Sequence, residues 1–231
     1  MRTFLIFFFA FIPFWLSSQN AQNETKILVK KDSVSFYSFG KEGVGEYLIS
    51  SSKKLQKTYT KYSSELPTEL KNIGLTALSP LVSKSGEVYF LYPGGGILFK
   101  YCDGVFERID ESFAHRNQFS GYFFEYKKEL FLLGGYGYWQ SNSLLTKYSF
   151  STKSWEAVAT TGQAPRFGVN AGSFVLDKNT LYVFDFYHRI ADKDIKNNNL
   201  FKLNLDALNW EKKGALNSGF YDAILIKNFE I

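Results

Sequence analysis

The clearest order in the sequence is a pattern of apolar runs broken by short polar turns, and this pattern repeats. Residues 114–135 (AHRNQFSGYFFEYKKELFLLGG) lie over 164–185 (APRFGVNAGSFVLDKNTLYVFD) without a gap. Ala114/Ala164, Arg116/Arg166, Phe124/Phe174 and Lys128/Lys178 coincide. Each copy reads as an apolar strand, a polar turn (KK or DKN) and a second apolar strand, the pattern of a hairpin buried on both faces.

The match continues downstream. LLTKYSFSTKSWEAV at 144–158 pairs with NLFKLNLDALNWEKK at 199–213, two further strands in each copy. Tyr148 and Leu203 each stand seven residues ahead of a tryptophan, Trp155 and Trp210. Two earlier copies are weaker. Residues 87–110 repeat the second to fourth strands with Phe106 at the Trp position, and 27–63 open with another hairpin ending in glycine. Units of about fifty residues predict repeat architecture, here an all-β fold read as a β-propeller of four-stranded blades. The blades are expected at about 27–66, 75–111, 119–161 and 170–214, with a partial fifth hairpin at 219–231. Because that hairpin stops at Ile231, the sequence is expected to be truncated.

Composition supports the all-β reading. Aromatic residues make up 19%, with 24 Phe and 15 Tyr against one Met. Aromatic side chains fit a pleated surface better than a helix. Residues 1–22 read as a signal peptide: Arg2, then the apolar stretch Phe4–Leu16, then small residues between Ser17 and Ala21. That stretch is shorter than the roughly 20 residues a membrane span needs, and no later segment is long and apolar enough. The chain is therefore expected to be secreted or periplasmic, with no membrane span. Cys102 is the single cysteine, so no internal disulfide is available. The net charge of +5 is dispersed, and its densest cluster (Lys53, Lys54, Lys57, Lys61) reads as a solvated loop or a protected edge strand. With no recognition helix or zinc-finger spacing, nucleic acid is not an expected partner.

The glycine pair Gly134-Gly135 after an apolar strand, followed by Tyr148, Trp155 and Pro165-Arg166, resembles the kelch repeat. Gly94-Gly95, Tyr101 and Phe106 carry the resemblance in the preceding unit, and Trp210 in the following one, where Phe184-Asp185 replaces the glycines. The resemblance, which includes galactose oxidase central domains, implies a propeller whose loops share one binding face. It implies that Arg116 and Arg166 precede the innermost strands near the channel mouth. There they either form an anion-binding pocket or tie down loops through backbone carbonyls. The loops between second and third strands would bring Tyr136, Tyr138, Trp139, Tyr187 and His188 to the same face, unless Trp139 folds back over its blade edge.

No catalytic set assembles. Copper chemistry of the galactose oxidase kind needs more ligands than His115 and His188, and Asp192–Asn197 is a poor calcium loop because it lacks the turn glycine. No metal or other cofactor is expected. The reading is a binding module for a protein, peptide or glycan. The alternatives are a carbohydrate-active enzyme of the epimerase kind or the sensor domain of a larger signalling protein.

Overall fold

Strands in this chain form where aromatic and β-branched residues run together, and they end at glycines or short polar turns. The computed structural model describes residues 27–31, 35–50 and 54–216. The expected signal peptide and the partial hairpin at 219–231 lie outside the described residues.

The first sheet is β1 (Ile27–Lys30), β2 (Ser35–Phe39), β3 (Gly43–Ile49) and β4 (Leu55–Lys61), antiparallel and in that spatial order. A six-residue helix, α1 (Thr68–Ile73), leads to the second sheet: β5 (Ser79–Val82), β6 (Val88–Leu91), β7 (Leu98–Cys102) and β8 (Val105–Arg108). The third sheet takes β9 (Tyr122–Tyr126) and β10 (Glu129–Leu133). The chain then makes two short excursion strands, β11 (Tyr136–Gly137) and β12 (Gln140–Ser141). It returns to complete the third sheet with β13 (Leu145–Ser149) and β14 (Ser154–Val158). The fourth unit follows the same plan. β15 (Thr161–Gly162) precedes β16 (Ser173–Asp177) and β17 (Thr180–Phe184), and the excursion is β18 (Phe186–Ile190) and β19 (Lys193–Asn197). The sheet closes with β20 (Asn199–Asn204) and β21 (Asn209–Ala215). The fold is thus all-β: each expected repeat forms one sheet of four or five strands, antiparallel except where β15 runs beside β21, and the excursion strands lie outside these four sheets.

Successive sheets pack face to face, and β6 shows how. All four of its residues are buried, which is why VYFL reads as a continuous apolar run. Side chains alternate across a strand, so Val88 and Phe90 join Phe39 and Val44 of the first sheet in one cluster. Tyr89 and Leu91 join Phe123, Leu130 and Leu132 of the third sheet in another. β10 repeats the division. Leu130 and Leu132 face the second sheet, while Phe131 and Leu133 pack with Leu181, Val183 and Trp210 of the fourth. The two positions spaced seven residues apart meet as cross-strand partners: Tyr148 opposite Trp155, and Leu203 opposite Trp210. Trp155 also donates its indole N–H to the Gly96 carbonyl at 2.7 Å, tying the third unit to the second.

Of the lysine cluster, read as a solvated loop or a protected edge strand, Lys57 and Lys61 lie in an edge strand and Lys54 just before it, while Lys53 lies outside the described residues. β4 is the outermost strand of the first sheet, and every residue in it, Lys57 and Lys61 included, is exposed. Lysines there discourage edge-to-edge pairing with other chains.

The segments entering the third and fourth sheets are held against the preceding unit's turn. The His115 amide donates to the Gly95 carbonyl at 2.9 Å, and the Gly135 amide donates to the Val169 carbonyl at 2.7 Å. Gly135 has φ +103°, and a Cβ there would lie 2.4 Å from the Gln118 carbonyl carbon. Gln118 itself is fully buried and donates to the Leu132 and Leu144 carbonyls while accepting from Thr146.

A second tie holds the short helix. The Asp110 side chain is fully buried. It accepts from the Leu98 amide at 2.6 Å and from the Ser112 amide at 2.8 Å. Arg108 bridges Asp110 to Glu69 of α1.

Two stability predictions follow from these contacts. Gly135→Ala combines a left-handed backbone with a backbone clash and is expected to cost more than about 2 kcal/mol, read as a lowered urea midpoint. Asp110→Ala leaves the Leu98 and Ser112 amides without their acceptor and Arg108 with Glu69 and the Ser112 carbonyl alone, and is expected to cost about 3 kcal/mol by the same measurement. Retention of the wild-type midpoint in either variant would remove the corresponding tie.

Candidate functional site

The two excursions in the third and fourth units are not separate loops. β11–β12 and β18–β19 are each a hairpin, and the two join edge to edge through the pair Gln140 and Ile190. The Ala191 amide also donates to the Trp139 carbonyl at 2.7 Å, so the turns lock together. The result is an additional four-stranded sheet that belongs to two units at once. Its roots are pinned by bridges from Phe119 to Tyr136 and from Asn170 to Tyr187.

Tyr138 and Trp139 form the β11–β12 turn, with φ values of 51° and 69°. Both in the left-handed region is the geometry of a tight two-residue hairpin turn. That position usually takes Asn-Gly, so two large aromatic residues there carry backbone strain. They are also the most open aromatic side chains of this sheet, 78% and 79% exposed. Trp139 does not fold back over its own sheet. Ile190 and Ile195 of the adjoining hairpin are exposed as well.

Strand alternation divides the rest. Phe186 and His188 turn inward, and Tyr187 and Arg189 turn to the other face. Arg189 makes a two-point ion pair with Asp194, its Nε donating at 2.7 Å, and lies over the Tyr136 ring at 5.3 Å from its centroid. The guanidinium holds the Asp194 carboxyl below the usual carboxylate range. Asp194 is therefore committed to an ion pair in a strand, and the segment already read as a poor calcium loop belongs to a β-hairpin. Among the described residues no cluster of three or more His, Cys, Asp and Glu side chains is arranged to hold a metal.

The residues expected at a binding face divide accordingly. Tyr138, Trp139 and Tyr187 are exposed on the added sheet, and Tyr136 is half-buried as the platform under Arg189. His188 departs from expectation. It is 8% exposed, and both ring nitrogens are bonded, Nδ1 to the Gly168 carbonyl and Nε2 to the Asn197 amide, each at 3.0 Å. It supports the hairpin and does not face solvent as a ligand, because its place in the alternation points it at the core.

The arginines also part ways. Arg116 is exposed at a left-handed position (φ 57°). Arg166 is exposed too, with its guanidinium 5.2 Å from the Phe167 ring centroid. Two clefts lined by Arg166, of about 330 and 270 Å³, do not include Arg116. Among the described residues neither arginine bonds a backbone carbonyl, so the loop-tie reading gains no contact. Phe167, Arg189 and Lys212 were not singled out in the sequence. The alternation of FYHRI carried the signal for Arg189, but only pairing with β19 shows what it meets.

Exposure of Trp139 is directly measurable. Trp155 is partly buried and Trp210 is 2% exposed, so in residues 23–231, which lack Trp15 of the leader-like segment, Trp139→Phe is expected to remove the red-shifted, iodide-quenchable part of the emission with little effect on stability. An unchanged quenching curve would place Trp139 against the body. No protein-family model matches this chain and no curated protein matches it.

Proposed function

We propose that this chain is an exported kelch-like β-propeller acting as a binding module for a protein, peptide or glycan ligand. Four successive antiparallel meanders support the propeller reading. So do the face-to-face clusters between neighbouring sheets and the adjacency of their first strands, β1 beside β5 and β5 beside β9. Export rests on the leader-like sequence alone.

One observation carries the binding reading: the pair of solvent-exposed aromatics held at a strained, doubly anchored hairpin tip. Exposing Tyr138 and Trp139 forgoes the burial of two large side chains, about 1.5–3 kcal/mol for one such residue. Locking the turn through the Ala191–Trp139 backbone bond limits the ordering cost on binding. Tyr and Trp offer large contact area with few rotatable bonds and are over-represented at binding hot spots.

The test is a glycan and peptide array probed with wild type and with Tyr138→Ala and Trp139→Ala. Each substitution is expected to weaken the ligand found by about 2 kcal/mol, the hot-spot range, while the melting temperature stays within a degree or two. Wild-type affinity in both variants would exclude the hairpin tip as the binding face.

A further inference from the structure

The cleft on the inward side of the added sheet has different chemistry from its tip. It encloses about 330 Å³, at the small end of the range for ligand sites, and lies between the segment 163–167, β18–β19 and β21. Its polar lining is Gln163, Arg166, His188, Asn197 and Lys212. Two of these five are already bonded within the protein. His188 has both nitrogens bonded, and Asn197 donates to His188 while its Oδ1 accepts from the Asn199 amide at 2.9 Å and the Asn199 side chain at 2.8 Å.

Three remain: the Arg166 guanidinium, the Lys212 ammonium and the Gln163 amide. Among the described residues none has a side-chain hydrogen bond or ion pair, and no Asp or Glu lines the cleft. Glu211, next to Lys212 in the strand, points to the opposite face and pairs with Lys213. Two cations in one small cleft without a counter-charge repel each other and raise the local concentration of anions.

The cations are placed by backbone structure. β15 runs parallel to β21, with Gly162 opposite Trp210, and the Gln163 amide donates to the Trp210 carbonyl at 2.9 Å. A Cβ at Gly162 would sit 2.2 Å from that carbonyl oxygen, so glycine is what lets the segment come this close. Lys212 pairs directly with Phe201 across the ladder and shares its face, beside an irregularity between Leu200 and Phe201. Arg166 is held by a stack. Asn197 fixes His188, the His188 ring meets Phe167 edge-on at 5.7 Å, and Phe167 carries the guanidinium on its face. This orients a long side chain before any ligand arrives and leaves its N–H fork free.

We infer that this cleft binds a carboxylate or phosphate group carried on a small organic body. Arg166 and Lys212 hold the anion, Gln163 donates or accepts beside it, and Ala164, Phe167 and Phe201 supply apolar wall for the body. The inference stands apart from the hairpin tip, since it uses none of its exposed aromatics.

The experiment is an NMR titration of the full chain with D-glucuronate and with glucose 6-phosphate. Glucose serves as the neutral control and inorganic phosphate as the bare anion. At least one of the two sugar anions is expected to give saturable shifts at residues 163–167 and 212, glucose none, and inorganic phosphate a weaker response; the tighter sugar anion identifies the headgroup. Arg166→Gln and Lys212→Gln, both at exposed positions and so expected to fold, should each weaken binding tenfold or more. Phe167→Leu, which keeps the charge but removes the platform, should weaken it severalfold, and Trp139→Ala should leave it unchanged. Absence of saturable shifts with both sugar anions, or wild-type affinity in both glutamine variants, would overturn the proposal. Loss of binding in Trp139→Ala would overturn it as well, by placing the ligand at the tip.

Discussion

Much of this architecture depends on backbone reaching backbone where a side chain would intervene. At Gly135 the chain passes so close to Gln118 that no Cβ fits, and at Gly96 a Cβ would lie 2.1 Å from the Phe113 carbonyl oxygen. These contacts seat the incoming segment of one unit on the turn of another part of the sheet stack. Gln118 then fills the space beneath with an amide whose donor and acceptor groups are both used. Glycine serves here because it accepts positive φ and because it is thin.

That seating sets the distance between neighbouring sheets, and the alternation of strand side chains does the rest. A strand such as β6 or β10 feeds two clusters at once, so one substitution in it acts on a single intersheet layer. The same close approach fixes the roots of both excursions, since Phe119 and Asn170 bridge to Tyr136 and Tyr187. Scaffold and candidate site are therefore mechanically continuous. The added sheet presents open aromatics at its tip and an unpaired cationic cleft on its inward side, with the buried His188 between them as a strut.

The sequence by itself determined the four strands of each repeating unit and placed Tyr138, Trp139 and Tyr187 on its excursions, while leaving open whether Trp139 folds back. Strand pairing within a unit is local, and its period, turns and the partners seven residues apart are written within a short stretch of chain. The lysines of β4 were legible for the same reason. Only the tertiary structure decided that two excursions from different units form one sheet, because the Gln140–Ile190 pair joins residues that no local pattern relates. It also decided that His188 is a buried strut, that Arg116 and Arg166 do not share the Arg166 clefts, and that Lys212 does share one with Arg166. Those outcomes depend on which strand lies opposite and on a ladder irregularity near Phe201. A one-residue change in register turns a side chain to the other face, and long-range pairing alone sets that register.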